Sequence, residues 1–402
     1  MSAIANQLSN FVDQGTLSGI VTLTWRAGEV VGSNALGMAD IGHGRPMTAD
    51  TIFQIASMTK PITSVAAMML VEEGALRLDD PIAQWVPELA NPNVLRDPNG
   101  DIADCVQAHR HITIEDLLTH RSGLGYSFFT GGPISKAYAE LGNPLWNAGD
   151  PDIWLAGLGG LPLVYQPGER MFYGVSTDVL GFLIARVEGK PFRQVLQDRI
   201  FGPLGMTDTD FWFPADKRER IATLYQFDET TDHLVARPSL APDEPPSFCS
   251  GGAGLFSTAN DYLLFARMLL NKGKLDGVRI LREETVDQML INRLTPEQRA
   301  IPFISNPTWE GMGFGLGLGI VDIPEKNLLG CGRTGSFTWP GAYGTWWQAD
   351  PVEDLIMIYM IQHFIDLSPE MGAAIATGRG LHGRGALPIF QKMTYDQLDE
   401  VH

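Results

Sequence analysis

The sequence predicts an α/β lobe assembled from both ends of the chain, with a mainly helical lobe inserted between them. Two observations support this prediction. Segments with the period-two alternation typical of strands lie near the N-terminus and again after residue 310. The segments between them carry the apolar spacing and the terminal glycines of helices. We therefore expect residues 1–59 and 255–402 to form the α/β lobe and residues 60–254 the helical lobe.

The N-terminal elements are predicted to be a helix, a β-hairpin and a second helix. Apolar residues recur with helical spacing in the first dozen positions, whereas 20–25 and 30–36 alternate with period two around a short turn. Helical spacing returns at 61–73 and stops at Gly74, a residue type that commonly follows a helix.

Helix signals dominate the middle of the chain. Asp80 and Pro81 together are typical of a helix start, and Thr113 with Asp116 fits a capping arrangement. Further helices are predicted at 177–187 before Gly189, 192–201 before Gly202, and 260–270 before Gly273. Long Pro- and Gly-rich loops, which commonly form the walls of a site, are predicted at 91–99, 122–150 and 237–254. Strands follow at 314–321, 343–348 and 355–362, and then a helix-rich tail from Pro369.

The composition is that of a globular protein with a strongly acidic surface. The 402 residues include 29 Lys or Arg and 47 Asp or Glu, which gives a net charge of −18. Such a surface repels phosphate backbones and anionic lipid headgroups, so we expect neither a nucleic acid nor a membrane as partner. The separated cysteines Cys105, Cys249 and Cys331 argue against a disulfide scaffold and a zinc site, and suit a reducing compartment. With no leader pattern and no long apolar run, we expect a cytoplasmic protein without a metal or other cofactor.

Ser57 and Lys60 form the first candidate chemical motif, between the strand-like segment 51–55 and the helix predicted at 61–73. At about 100° per residue, positions three apart share one face of a helix. A serine nucleophile needs a base, and burial shifts the pKa of a lysine in the direction that lets it serve as one. A helix start also offers free N–H groups to an oxyanion. In isolation, this short pattern equally suits a serine N-cap and a solvated lysine.

Two further segments carry candidate site residues. Tyr173 ends a loop that leads into a predicted helix, where its phenol can relay a proton or simply pack as an aromatic residue. Residues 331–345 contain four glycines and a proline ahead of a strand. Such a segment lets the backbone approach a ligand closely and can supply a second N–H to an oxyanion, although a glycine-rich hairpin would look the same.

Together these motifs resemble the serine β-lactamase and penicillin-recognising group, and especially the class C β-lactamases and family VIII carboxylesterases. The Ser-x-x-Lys motif of the group is matched by Ser57 and Lys60, and its tyrosine motif by Tyr173. Supporting matches lie at 112–120, 122–124, 202–206, 251–255 and 257–261. The resemblance implies a β-lactamase-like fold of α/β plus all-α type: an antiparallel sheet flanked by helices from both chain ends, an inserted helical lobe, and an active site at their junction.

The departures from the class C pattern concern substrate binding. Val175 stands where class C enzymes have the asparagine of Tyr-x-Asn, and no lysine matches their Lys-Thr-Gly motif. Trp339 with Pro340 and Gly341 resembles the Trp-Gly-Gly of family VIII esterases, whereas Arg333 begins a competing Arg-Thr-Gly. The Gly-Ala-Tyr-Gly-Thr-Trp continuation favours the tryptophan segment, and both alternatives stay open. With tryptophan there, a β-lactam carboxylate lacks its usual anchor and neutral esters become better substrates.

The resemblance implies a serine carboxylesterase of family VIII type that cleaves short-chain, aryl or alkyl esters, with weak β-lactamase activity as a side reaction. Ser57 would be the nucleophile, Lys60 with Tyr173 the base, and the N–H groups of Ser57 and of the segment from Trp339 through Pro340 and Gly341 to Ala342 the oxyanion donors. Alternatives at the same site are a β-lactamase, a D-aminopeptidase-type amidase or an acyltransferase, and, in a different class, an inactive sensor of acyl ligands. Aromatic residues of an apolar acyl or alcohol pocket are expected among Phe128, Phe129, Trp146, Trp309 and Trp339. No Gly-x-Ser-x-Gly or His-Glu-x-x-His is present, which argues against an α/β-hydrolase and a zinc hydrolase.

Overall fold

A computed structural model of the chain describes residues 2–144, 149–228, 230–301, 311–326, 332–364 and 383–399. Its central feature, within these residues, is an eight-stranded sheet whose neighbouring strands are all antiparallel. The strands are β1 (Gly19–Arg26), β2 (Glu29–Asp40), β3 (Arg45–Pro46), β4 (Met312–Phe314), β5 (Gly319–Val321), β6 (Phe337–Thr338), β7 (Trp346–Asp350) and β8 (Leu355–Met360). Their order across the sheet is β4-β5-β6-β7-β8-β1-β2-β3.

The helices lie at both ends of the chain and throughout its middle. Those described are α1 (Ala3–Asp13), α2 (Thr59–Glu72), α3 (Ile114–Leu118), α4 (Gly132–Leu141), α5 (Pro151–Gly159), α6 (Ser176–Glu188), α7 (Phe192–Leu196), α8 (Gly202–Leu204), α9 (Ala215–Arg218), α10 (Ala259–Leu270), α11 (Glu283–Met289), α12 (Pro296–Arg299) and α13 (Ala386–Asp399). Single 3₁₀ turns lie at Ala56–Met58, Ile82–Gln84, Pro87–Leu89 and Pro324–Lys326. Short strand pairs join Phe53–Gln54 to Phe256–Ser257, Asn93–Leu95 to Cys105–Gln107, Tyr225–Asp228 to His233–Ala236, and Lys274–Leu275 to Val278–Arg279. In this described part of the chain, no helix has both the length and the apolar character needed to cross a membrane.

The two ends of the chain meet at the centre of the sheet. Strand β1 pairs with β8, so that Val21 lies opposite Met360 and Arg26 opposite Leu355. Every residue of β8 is buried, as are all but the last of β1, which is the pattern of strands covered on both faces. The predicted antiparallel sheet drawn from both chain ends is therefore confirmed.

Helices cover the two faces of this central region. Adjacent residues of a strand point to opposite faces. In β7, Trp346 packs in a cluster with apolar residues of α1 and α13. Its neighbour Trp347 belongs to the main core and lies 5.3 Å from the ring of Tyr262 in α10. The flanking helices from both chain ends are thus observed, and the main core continues past α10 into the inserted helices.

Several local predictions are confirmed by the helix ends. Helices α1, α2, α6 and α10 lie where their spacing predicts them. Gly74 and Gly189 follow α2 and α6 with φ of 77° and 64°, the left-handed region that glycine enters without strain. Thr113 and Asp116 form the predicted capping box at the start of α3.

Other boundaries differ from the predictions. The chain stays helical through Gly202, by way of a π-helical turn at Gln197–Phe201, and ends instead at Gly205. The carboxylate of Asp80 accepts the Arg77 N–H, so it does not cap a helix, and only one 3₁₀ turn follows.

Two of the predicted loops and one predicted strand also contain different structure. Loop 122–150 contains α4, and loop 91–99 contains the short strand Asn93–Leu95. The strand predicted at 314–321 is a hairpin of β4 and β5, because Gly317 has a φ of 86° and turns the chain between them. Cys331, Trp146, Trp309 and most of the tail from Pro369 to residue 382 lie outside the described residues. The division of the lobes at residues 59 and 255 stays a prediction.

Candidate active site

Ser57 lies in the 3₁₀ turn that joins a short strand to α2. The preceding residue, Ala56, has a φ of 43°, a region that residues with a Cβ rarely adopt. Strained backbone of this kind persists where surrounding contacts hold it. Ile55 makes such contacts, because its N–H donates to the Leu255 carbonyl and its own carbonyl accepts from the Thr345 hydroxyl. The backbone that presents Ser57 is therefore held from two sides.

Lys60 follows within the first turn of α2 and is 1% exposed. Its Nζ donates to the carbonyl of Gly252 at 2.7 Å, to Ser57 Oγ at 3.3 Å and to the Tyr126 hydroxyl at 3.3 Å. All three partners are uncharged groups. The structure thus brings Ser57 and Lys60 together, as their spacing predicts, and places the amine in a nearly dry environment.

Tyr173 lies against the same lysine. Lys60 Nζ is 4.6 Å from the centre of the Tyr173 ring, and the indole N–H of Trp339 donates to the Tyr173 hydroxyl at 3.0 Å. The ring of His120 packs 4.6 Å from that of Tyr173, and burial holds the pKa of His120 well below its usual value. The three residues predicted to act together are therefore neighbours, and the imidazole beside them is uncharged near neutral pH.

The two candidates for the third motif lie in different places. Trp339 is at Tyr173, as described above. Arg333 Nε donates to Glu353 Oε1 at 3.0 Å, and its backbone N–H donates to Asp350 at 3.1 Å. These carboxylates lie at the end of β7 and in the turn that follows it. The structure therefore places the tryptophan segment, and not Arg333, beside the tyrosine.

Gly341 brings the tryptophan segment into close contact with the backbone that precedes Ser57. A Cβ on Gly341 would lie 2.1 Å from Thr345 Oγ1 and 2.4 Å from the carbonyl oxygen of Ile55. The neighbouring Ala342 packs in one apolar cluster with Ala56. Only glycine permits this approach, because either distance is far below van der Waals contact.

The backbone N–H groups of this region differ in their availability. Among the predicted oxyanion donors, Pro340 has no N–H and the N–H of Gly341 donates to the Thr345 carbonyl at 2.8 Å. Neither the N–H of Ser57 nor that of Ala342 donates to another described residue. These two N–H groups, on adjoining segments, can accept the charge that develops on a substrate oxygen.

Tyr126 is a site residue that the sequence did not indicate. Its hydroxyl contacts Lys60 Nζ, and its ring centre is 5.7 Å from that of Tyr173. Burial is the main cause that raises the pKa of Tyr126 well above its usual value, and the charge of Asp178 adds to it. The group therefore remains a phenol. Its position two residues after the family-like segment 122–124 is the sequence signal that points to it.

Aromatic side chains surround the tyrosines. Phe128 stacks on Tyr126 with ring centres 5.0 Å apart, and Phe129 lies 6.0 Å from Tyr173. Phe314 packs edge-on against Trp339 at 4.9 Å. Phe128 and Phe129 are partly exposed, so they can present apolar surface to a ligand.

Comparison with known proteins gives consistent matches. The family model described as Beta-lactamase matches residues 4–377. Protein Rv1367c of Mycobacterium tuberculosis is 49% identical over 405 residues, which cover 99% of this chain and 100% of that protein. Esterase EstB of Burkholderia gladioli is 30% identical over 374 residues, which cover 87% of this chain and 88% of that protein. The solved structure of EstCE1, described as a hydrolase with promiscuous acyltransferase activity, has a TM-score of 0.78 at 26% identity and covers 96% of each chain.

Proposed function

The chain belongs to the beta-lactamase family as an enzyme of the β-lactamase-fold serine hydrolases, and from this premise we propose that it is a carboxylesterase of family VIII type. It cleaves a small neutral ester through an acyl-enzyme on Ser57. The observation that carries the proposal is the environment of Lys60, whose buried amine touches Ser57 Oγ and otherwise meets only uncharged groups at hydrogen-bond distance. A lysine in such surroundings is suited to take the serine proton.

Acylation begins when Ser57 Oγ attacks the ester carbonyl carbon and its proton passes to Lys60. The N–H groups of Ser57 and Ala342 stabilise the resulting oxyanion, and each such donor is typically worth about 3–4 kcal/mol. The bond to the alcohol oxygen then breaks. Tyr173 passes a proton to the departing oxygen, and Lys60 returns one to Tyr173.

Deacylation reverses these roles. Lys60 and Tyr173 take a proton from a water molecule that attacks the acyl carbonyl. The acid is released, and Ser57 regains its proton. General-base catalysis of this kind contributes roughly 10²–10⁴-fold.

Esters are favoured over β-lactams by what the site lacks. Val175 is buried in the core at 3% exposure, so no side-chain amide stands where class C enzymes have the asparagine. The third-motif position beside Tyr173 holds Trp339, an apolar side chain with one N–H, rather than a cation that would bind a carboxylate. Both features favour neutral substrates.

Acyl transfer is the second candidate, because EstCE1 is described as having promiscuous acyltransferase activity. Transfer and hydrolysis share the acyl-enzyme and differ in whether an alcohol or water attacks it. Product analysis after adding alcohol acceptors separates the two. An ester product that exceeds the free acid would favour transfer.

The decisive experiment is a substrate panel with a matched serine control. We expect p-nitrophenyl acetate and butyrate to be hydrolysed faster than nitrocefin, Ser57→Ala to abolish turnover, and Ser9→Ala, at a surface serine of α1, to leave it unchanged. Intact-mass analysis after a fluorophosphonate probe should show one adduct, absent in Ser57→Ala. Appreciable esterase activity in Ser57→Ala, or a strong preference for nitrocefin, would contradict the proposal, and an unlabelled wild-type protein would favour an acyl-ligand sensor.

A further inference from the structure

We infer that Asp178 is a positioning residue for Lys60. Its buried carboxylate holds the turn that carries the Gly252 carbonyl, and its charge acts on the lysine. The inference rests on the proposed roles of Ser57 and Lys60. It assigns a task to a side chain that touches neither the nucleophile nor the base.

The Gly252 carbonyl is the closest contact of the lysine amine, at 2.7 Å against 3.3 Å for both Ser57 Oγ and the Tyr126 hydroxyl. A neutral amine has two N–H groups and one lone pair. With one N–H on Gly252 and the other on Tyr126, the lone pair is left to face Ser57. This is the arrangement that a general base requires. The position of the Gly252 carbonyl therefore decides how the lysine meets the serine.

Asp178 determines the position of that carbonyl. Its Oδ1 accepts from Ser250 Oγ at 2.5 Å and from the Gly252 N–H at 3.1 Å, and Ser250 Oγ in turn accepts from the Ala253 N–H at 3.0 Å. The carboxylate lies so close to Gly252 that a Cβ there would be 2.5 Å from Oδ2. Hydrogen bonds to an ionised carboxylate are roughly twice as strong as those between neutral groups. A charged Asp178 thus holds the turn firmly.

Asp178 also links this turn to the tyrosine segment. It is the third residue of α6, five positions after Tyr173, and 2% of its surface is exposed. Carboxylates are favoured in the first turn of a helix by the helix dipole. Burial raises the pKa of Asp178, while the positive charge of Lys60 and the hydrogen bonds from Ser250 and Gly252 oppose that rise. One carboxylate therefore couples the elements that carry Tyr173 and Gly252.

The negative charge near the lysine comes from this residue. The titratable groups that face Lys60 are the phenols of Tyr126 and Tyr173, the imidazole of His120 and the carboxylate of Asp178. Burial raises the pKa of Tyr126 and lowers that of His120, which leaves both uncharged near neutral pH. Removing the charge of Asp178 should therefore make it easier for Lys60 to lose a proton.

The test compares three variants by the rate at which a fluorophosphonate modifies Ser57, measured against pH by intact mass. This readout requires an activated serine but no particular ester. Asp178→Asn keeps the shape and removes the charge, whereas Ser250→Ala loosens the turn and keeps the charge. The matched control is Asp261→Asn, because Asp261 is also a buried third residue of a helix, α10, and accepts from Asp208 and Thr209 away from the site. Thermal unfolding of each variant confirms that it is folded.

We expect Asp178→Asn to lower the rate constant about tenfold and to move the acid limb of its pH profile down by about one unit, the effect of a lost opposite charge nearby. Ser250→Ala should lower the rate without moving the limb, and Asp261→Asn should stay within about twofold of the wild type. An Asp178→Asn profile that matches the wild type, or one that Asp261→Asn reproduces, would overturn the inference. If the wild type modifies Ser57 but hydrolyses no ester, the proposed esterase function fails while the Asp178 comparison still stands. If Ser57 is not modified at all, both fail.

Discussion

The two tyrosines beside Lys60 should respond differently to removal of their hydroxyl groups. The Tyr126 hydroxyl contacts Lys60 Nζ at 3.3 Å, whereas Tyr173 presents its ring to the lysine and has its hydroxyl bound by Trp339. We expect Tyr126 to orient the amine and Tyr173 to deliver a proton to the leaving alcohol. Tyr126→Phe and Tyr173→Phe each remove one oxygen from a buried ring and preserve its packing.

The sizes of the two effects follow from these roles. A hydrogen bond to a charged group is worth about 1.5–3 kcal/mol, so Tyr126→Phe can lower kcat/KM by at most roughly 10- to 150-fold. The full effect appears only if the bond strengthens when Lys60 acquires the serine proton, because equal loss in ground and transition states leaves kcat unchanged. Loss of a proton relay costs about 10²–10⁴-fold, which is the range expected for Tyr173→Phe.

The assay compares a p-nitrophenyl ester with the ethyl ester of the same acid. p-Nitrophenolate leaves without a proton, whereas ethoxide needs one. Tyr173→Phe should therefore impair ethyl butyrate hydrolysis much more than p-nitrophenyl butyrate hydrolysis. Tyr126→Phe should impair both by a similar factor. If Tyr173→Phe loses the same factor on both esters, or if Tyr126→Phe alone shows the leaving-group dependence, the assignment of the two roles is wrong.

Two further predictions concern backbone approach and pH. Gly341→Ala should lower the free energy of unfolding by about 1–3 kcal/mol and kcat/KM more than tenfold, because its Cβ would lie 2.4 Å from the Ile55 carbonyl oxygen and displace the backbone before Ser57. Burial raises the pKa of Asp261 from 3.8 to about 6, so the folded state keeps a proton that the unfolded state has lost, and the stability this provides at low pH disappears as the pH rises through 6. Asp261→Asn removes this loss and should gain up to about 3 kcal/mol relative to wild type between about pH 4 and pH 7, measured by denaturant unfolding.

Each of these predictions has its own control. Gly32→Ala in β2 adds the same methyl group where its nearest neighbour is 3.6 Å away, so it should alter neither stability nor activity. A stable, fully active Gly341→Ala enzyme would show that the close approach at Ile55 is not required. For Asp261, a stability difference between variant and wild type that stays constant from pH 4 to pH 7 would contradict the raised pKa.

The elements of the fold were largely predictable because their signals are local. Strand alternation in β1 and β2, helical spacing in α2 and the glycines after α2 and α6 each lie within a dozen residues of one another. The sequence was less informative at 122–150, where Pro and Gly suggested a loop and the structure contains α4. Helix α4 begins with Gly132 and Pro133, residues that disfavour a helix interior but are tolerated at its first turn.

Within the site, the sequence by itself determined one pair. Ser57 and Lys60 are three residues apart, and helix geometry places such residues on one face whatever the rest of the chain does. The glycines before β7 likewise indicated a close backbone approach, although not to which partner. Tyr173 required the resemblance to a known family, because nothing near it in the chain reports its distance from the lysine.

Only the tertiary structure decided what surrounds the lysine. Tyr126 and Gly252 reach it from 66 and 192 residues away, and Asp178 reaches Gly252 from 74 residues away. Such contacts depend on how whole helices and turns pack against one another, and no local spacing encodes that packing. The reactive pair is thus written in a single turn of helix, while the dry, hydrogen-bonded surroundings that make a base of Lys60 arise from the folding of the entire chain.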